Sequence, residues 1–444
     1  MKPHPNSVIP RKTGVLVVGA GITGCAAAHK LQSDGISYTL IERNVCPGGL
    51  SRSISLGDGH FDYTGHFLHL QHYATPSDIP FAGLNDADWQ RVERKSQVYL
   101  DGRFVPAPFQ YNLFYLPEEV RQAAIQSFRS RPRSLSPRSF RDYLTSGFGD
   151  EMCRLFLFPY NEKIQAVDLA ELSVDAVKRF FPLPDEDRIE SGYAAPGADN
   201  ASGAEYNSRF WYPKANGIGL LADGLSAGLD GLQTASALEA VHLSARRVLT
   251  RRGAVDYASM VNTMPLKEFC LLTDDPELHD LAHGLSHNRV ISINLLVEGE
   301  PHGDLAETHW VYIPERKYPF YRVGFYSNVA PMGIRKGWSS LYVEVADGPA
   351  SLSGCLVNVI NNALDALDHL GWVRAERVTV MAANWIDCAY VHFLHDRGDR
   401  VARILCKLKA YGVTSVGRYG GWDYIGMEDS IRQGIEAASE VIFS

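Results

Sequence analysis

The sequence has little that would hold a metal or a disulfide framework. Its seven cysteines are scattered through 444 residues, with no CxxC pair and no metal-ligand spacing. Such a set reads as reduced thiols in a cytoplasmic protein, and no metal is implied. There is no basic excess: the formal charge is −8, which argues against nucleic acid as the main partner. The first residues, MKPHPNSVIPRKT, lack the apolar core of a signal peptide. Outside one glycine-broken unit no apolar run approaches the roughly 18 residues of a membrane span, so no transmembrane segment is expected. Internal repeats and low-complexity tracts are missing too. The chain is too long for a single compact core, so two or three domains are expected.

What is present is concentrated in residues 14–52. An apolar strand, Val15 to Val18, runs into Gly19-Ala-Gly21-Ile-Thr-Gly24. A stretch of small residues, Cys25 to Leu31, reads as a helix, and Ser37 to Ile41 as a second strand ending on Glu42. Gly19 suits the tight turn, Gly21 the approach of a pyrophosphate, and Gly24 close helix–strand packing. The helix N-terminus offers free N–H groups to phosphate. Glu42, about 20 residues on, is placed for ribose hydroxyls, with Arg43 beside it. A dinucleotide site follows; the plainer reading is a structural βαβ turn. Pro47-Gly-Gly-Leu-Ser-Arg52 extends the element, and the planar fork of Arg52 can reach a phosphate.

Further along, HFDYTGHFLHL (60–70) sets His66 and His69 beside a glycine. The plain alternative is a strand carrying two satisfied histidines. Leu100-Asp-Gly-Arg-Phe104 predicts a hairpin, and Pro117 the start of a helix. The basic run 127–141 reads as a mobile surface loop or an anion-binding one. Residues 151–183 predict helix, tight turn, helix, with Pro159-Tyr160-Asn161 interrupting the first and Ser173 capping the second. Residues 184–208 predict a flexible polar loop, of a kind that often serves as a lid. An aromatic strand and a helix follow at 209–230, then a hairpin over 238–261, strands between 290 and 348, and a helix over 352–370. Arg322 lies inside an apolar strand, as a salt-bridged core residue or an anion ligand. The end repeats the opening geometry: Gly417-Arg-Tyr-Gly-Gly-Trp-Asp-Tyr-Ile-Gly-Met427 enters a final helix.

Taken in order, the opening fingerprint, PGGLSRS, GHFLHL, PYNEK, RFWYPKANG, FYRVGF and GRYGGWDYIGMEDSI resemble the UDP-galactopyranose mutase-like branch of the FAD-dependent amine oxidase and protoporphyrinogen oxidase superfamily. The resemblance implies an α/β chain with a discontinuous FAD-binding Rossmann-like (GR2-type) domain over 1–75, 215–290 and 383–444. A mixed α/β substrate region, with a helical part and an antiparallel sheet, would occupy 76–214 and 291–382. It implies FAD on Gly19, Gly21 and Gly24, its ribose on Glu42, and Gly49, Leu50 and Arg52 along its path. His66 and His69 would lie beside the flavin ring, Arg418 near it, and Met427 with Glu428 at the start of the helix over it. In the mutases reduced flavin is the nucleophile toward a sugar anomeric carbon, so the lack of a Ser-His-Asp or Cys-His pattern does not weigh against an enzyme.

Tyr160 matches the tyrosine of the family's YT-x-KQW segment. Arg322 and Tyr424 match groups that take the substrate diphosphate, the arginine bidentately. The tryptophan of that segment is Gln165 here, the mobile-loop arginine falls near Leu183 with Arg179 close by, and a further tyrosine is Val345. Three functions stay open: a pyranose–furanose mutase on a nucleotide sugar, an oxidase or dehydrogenase of an amine or porphyrinogen-like small molecule, and an FAD-binding scaffold with a decayed site. Substrate identity and oligomeric state are not encoded in any motif.

Overall fold

The computed structural model describes residues 9–56, 59–133, 136–176, 184–197, 208–347 and 355–443. Two seven-stranded sheets carry the chain. In the first, the strand Lys12–Val18 pairs in parallel with Tyr38–Ile41 on one side and Gly253–Asn262 on the other. Val413–Ser415 pairs in parallel with the end of the latter, and Arg247–Thr250 and Leu238–His242 extend it as an antiparallel meander. The opening strand is buried at nearly every position, as expected of a parallel strand covered on both faces. The helix Ile22–Ser33 follows it, and its buried Cys25, Ala26, Ala27 and Ala28 let neighbours approach closely. The final helix, Met427–Phe443, comes so near that a Cβ on Gly434 would overlap the Thr23 carbonyl.

The second sheet runs Val378–Ile386, Arg289–Glu298, Trp338–Asp347, Arg322–Phe325, Trp310–Tyr312, Ser96–Leu100, Arg103–Pro106. Its two faces differ, following the two-residue period of a strand. Ile291, Ile293, Leu295, Leu341, Val343, Val323 and Phe325 pack one face against the helix Leu356–His369 through Ala363 and Leu367. The other face carries Ser292, Asn294, Ser340, Tyr342, Glu344 and Arg322; the first five are nearly sealed from solvent. Buried polar groups need partners; Asn294 and Glu344 find theirs in residues 62–65, while the hydroxyls of Ser292, Ser340 and Tyr342 have none among the described residues.

The Asp101-Gly102 hairpin, the helix after Pro117 (Glu118–Arg129), the aromatic strand Arg209–Pro213 and the helix Gly219–Ser226 form as expected. Four expectations change. The 60–70 segment is a strand only to Asp62, and both histidines lie in the connection beyond it. Pro159 does not break its helix: the chain stays helical from Asp150 to Gln165. A π turn, Cys153–Leu157, precedes Pro159, and its wider ladder accommodates a residue with no N–H to give. The expected loop at 184–208 contains a helix, Glu186–Ala194, capped by the Asp185 carboxylate accepting from the Arg188 N–H. Four arginines of 127–141 are already matched by carboxylates, among them Arg129 with Glu190 at 2.5 Å and Arg131 with Glu186 at 2.6 Å. The helix expected after Ser173 lies largely outside the described residues, as do Arg179 and Leu183.

Candidate functional site

The glycine loop is built for an anion. Gly19 has φ +94°, a conformation other residues rarely adopt. A Cβ on Gly24 would overlap the Gly19 carbonyl oxygen, so helix and strand meet this closely only because residue 24 is glycine. The helix Ile22–Ser33 starts at Gly21 with no side-chain cap and no acid in its first turn. Its first N–H groups therefore lack the usual side-chain acceptor, and open space surrounds the Cβ direction of Gly21. The turn at Gly48-Gly49 folds back over this loop, Gly48 N–H donating to the Ala20 carbonyl at 2.7 Å. Arg52 Nε holds the Gly49 carbonyl at 2.9 Å, and its guanidinium covers the Tyr63 ring at 4.6 Å. Leu50 lies in the same turn and packs on the helical region's core.

Glu42 ends the second strand as expected and is almost fully buried. Its Oε2 accepts from Ala20 N–H at 2.9 Å, and its Oε1 from Asn44 N–H at 2.8 Å and Asn44 Nδ2 at 2.7 Å. The carboxylate thus braces the glycine loop itself. Arg43 points elsewhere, to Glu268 at 3.5 Å, with more than half its side chain exposed.

Close to this loop, where a Cβ on Gly417 would overlap Thr23 of the first helix, a second group of side chains meets. Arg322 Nε and Nη2 each lie 2.7 Å from Glu344 Oε2. Burial opposes ionisation of Glu344, yet the Arg322 charge and hydrogen bonds from Arg322, Thr64 and Tyr321 prevail and hold its carboxyl below the ordinary range. Tyr160 is buried, stacks on Phe156 at 5.2 Å, meets Tyr312 edge-on at 5.3 Å and reaches the Tyr321 ring at 6.4 Å. Burial, reinforced by Tyr312, raises its phenol well above the usual value, so it is a neutral donor. The Arg418 guanidinium covers the Tyr424 ring at 4.1 Å and donates to the Ile425 carbonyl at 3.0 Å. Tyr390 lies 5.7 Å from Tyr424 and 5.9 Å from Arg418. His66 lies within electrostatic reach of both arginines. Burial first, then the charges of Arg418 and Arg322, push its imidazole down to about 4, Glu344 partly offsetting them. Its Nδ1 is buried with no partner.

The candidates therefore fall into groups. Gly19, Gly21, Gly24, Gly49 and Arg52 form the loop cradle, with Glu42 behind it. His66, Tyr160, Arg322, Arg418 and Tyr424 share one neighbourhood. His69 is turned toward the short ribbon of Trp89–Glu93 and Arg209–Pro213. Its Nδ1 is 3.1 Å from the Arg209 carbonyl and its ring meets Phe210 edge-on. Met427 opens the last helix and packs on the core of the first sheet. The adjacent Glu428 is buried and accepts from the N–H groups of Gln71, His72 and Tyr73 at 2.8–2.9 Å. Glu344, Thr64, Tyr321, Tyr342 and Tyr390 were not singled out from sequence. Only Glu344 left a signal, as one acid in the apolar strand SLYVEV.

A dinucleotide flavin fits these residues. The uncapped helix, the open space at Gly21 and the Gly48-Gly49 fold suit a pyrophosphate. Arg418 has no carboxylate partner among the described residues, and a partly buried cation of this kind favours an anionic or electron-rich neighbour. Residues 17–77 match the NAD(P)-binding Rossmann-like domain family. A hydroxyneurosporene desaturase of Rhodobacter capsulatus is 28% identical over 143 residues, 32% of this chain and 28% of that protein. The match thus spans under a third of that relative's length. A reduced UDP-galactopyranose mutase superposes with TM-score 0.89 at 26% identity, over 97% of this chain and 96% of that one. An assigned protoporphyrinogen oxidase from Exiguobacterium superposes at 0.76 and 16% identity, over 99% and 100%.

Fold and site together define an FAD-dependent enzyme, similar over nearly its whole length to the mutase and in fold alone to the protoporphyrinogen oxidase. The chain is UDP-galactopyranose mutase-like in structure, an α/β protein with a Rossmann-like dinucleotide domain. Among the described residues no helix is long and apolar enough to cross a membrane.

Proposed function

We propose that the chain interconverts the pyranose and furanose forms of a nucleotide sugar. The observation that supports this best is convergence: Arg322, Tyr160 and Tyr424, the substrate-side groups, meet His66 and Arg418, the flavin-side groups, in one cluster. The likeness to the mutase over 97% of the chain supports it as well. On this reading 1–75, 215–290 and 383–444 bind FAD, and 76–214 with 291–382 receive the sugar nucleotide.

When bound, FAD supplies the electron-rich centre and the redox capacity; side chains supply the rest. Gly19, Gly21, Gly24, Gly49, Leu50 and Arg52 hold the cofactor's phosphates and path. Arg322 offers a guanidinium fixed on one edge by Glu344, its other edge left to orient a phosphate group. Tyr160 adds a neutral phenolic donor, and Tyr424 a second hydroxyl to orient the ligand. His66, neutral at pH 7, serves as a hydrogen-bonding group and not as a cation. The packed rings of Phe156, Tyr312 and Tyr321 exclude water. The test is to reduce the purified protein with dithionite and assay a panel of nucleotide sugars for ring contraction. Turnover that needs prior reduction and leaves no net oxidation supports the reading.

The second reading, a small-molecule oxidase, is favoured by two features. Glu344 already neutralises Arg322, and Gln165 and Val345 stand where the mutases use other groups, so the described site is weaker for a diphosphate. An oxidase bleaches its flavin with substrate and consumes oxygen. A protein that binds flavin but does neither is a scaffold.

A further inference from the structure

The connection carrying His66 is laid along the polar face of the second sheet. Asn294 Nδ2 donates to the Asp62 carbonyl at 2.8 Å, and Asn384 Nδ2 to the Tyr63 carbonyl at 3.2 Å. The Thr64 hydroxyl and, at 3.3 Å, the Gly65 N–H both donate to Glu344 Oε1. Beneath Gly65 lies the Tyr342 ring, so near that a Cβ there would overlap its phenol end. The same ring would overlap a Cβ on Gly324, so it is wedged between two glycines. Four consecutive residues, 62–65, are thus gripped by side chains from three adjacent strands. Beyond His66 the chain is gripped again, by Glu428 at 71–73.

Such fastening exceeds what a surface connection needs. Glu344 divides its two oxygens: Oε2 holds Arg322, and Oε1 holds the loop one and two residues before His66. Burying a carboxylate completely is costly unless every lone pair is used, and here the use is to join strand and loop. We propose that Glu344 is a positioning residue, which through Thr64 and Gly65 sets the His66 imidazole against the flavin. The proposal rests on His66 facing the flavin ring. It adds that the second sheet, through one carboxylate, tunes the cofactor from behind the loop.

The experiment uses FAD-loaded wild type, His66→Ala, Thr64→Val, Thr64→Ser and Glu344→Gln. The readouts are the visible flavin spectrum, the midpoint potential by dye-coupled reduction, and thermal unfolding. His66→Ala is expected to shift spectrum and potential. Thr64→Val, which removes the hydroxyl at nearly constant volume, shifts them in the same direction. Thr64→Ser restores the hydroxyl and stays at the wild-type values. Glu344→Gln shifts both at least as far as Thr64→Val. A folded Thr64→Val with unchanged spectrum and potential overturns the proposal, as does a Thr64→Ser shifted equally. If Glu344→Gln fails to fold, the two Thr64 variants decide alone. An unchanged His66→Ala refutes the placement of His66 itself, which separates that failure from failure of the clamp.

Discussion

Removing Arg322 should damage stability and ligand binding by different amounts and with different pH dependence. In Arg322→Ala the Glu344 side chain, 0% exposed, loses its counter-ion. Breaking a buried pair from one side costs about 3–5 kcal/mol. With an unfolding entropy of about 2.1 cal/mol/K per residue, that lowers the unfolding temperature of this chain by roughly 3–5 °C. The sign with pH follows from the lowered pKa of Glu344. Its ionised form stabilises the wild type above the unfolded value of about 4.3, and that contribution is lost as pH falls through the lower folded value. The gap between wild type and variant is therefore widest at neutral pH and closes on acidification. Replacing both partners, Arg322→Met with Glu344→Leu, should restore only part of the stability: an apolar pair substitutes for the buried ion pair, but the Thr64 hydroxyl and Gly65 N–H lose their acceptor. Nucleotide binding should not return. Loss of one charged phosphate contact costs about 1.5–3 kcal/mol, one to two decades in Kd, while FAD affinity changes far less. The assays are thermal unfolding by circular dichroism across pH 4–8 and titration of UDP against the flavin spectrum. Equal losses of UDP and FAD would make Arg322 a structural arginine. An unfolding temperature unmoved by Arg322→Ala would refute the buried-pair argument.

Three further outcomes are expected. Gly21→Ala meets open space within the protein, so the apo chain should unfold as wild type does while FAD affinity, read by flavin fluorescence, falls at least about tenfold if a phosphate occupies that space. Glu428→Ala leaves the N–H groups of Gln71, His72 and Tyr73 without their acceptor; a loss of about 2–4 kcal/mol in denaturant unfolding is expected. His309 and His392 are buried and pushed down to about 4, chiefly by burial. Protons bind the unfolded chain first as pH drops below about 6.5, so each removes up to about 3 kcal/mol between pH 6.5 and 4 and nothing further below. His392→Gln should flatten part of that slope in urea unfolding at stepped pH.

The opening element was legible because its signals are local. Gly19 to Gly24, the small-residue helix and Glu42 lie within thirty residues or so, each with its own steric reason. The strands between 290 and 348 were legible from their β-branched and aromatic residues, and Asp101-Gly102 from turn chemistry. Two-way readings were settled by partners far off in the chain. Arg322 could be a core arginine or a ligand; only the cross-strand register with Glu344 shows it paired. The Glu344 link to Thr64 spans 280 positions, and Glu428 reaches back more than 350; no periodicity carries that information. Pro159 misled because the rule that proline breaks a helix assumes an α ladder, and a π turn relaxes it. The helix Glu186–Ala194 was masked by its acids and glycine, which taken alone argue for a loop.

The central claim is that reduced flavin on this chain isomerises a nucleotide sugar without net redox. Its most direct test is anaerobic. The dithionite-reduced protein is mixed with UDP-galactose and related UDP-sugars, the products are resolved by ring form, and the flavin spectrum is followed throughout. The account predicts furanose product from the reduced protein alone, with the flavin still reduced at the end. No ring contraction with any sugar, together with bleaching of the oxidised flavin by a small amine and oxygen uptake on readmission of air, would contradict it.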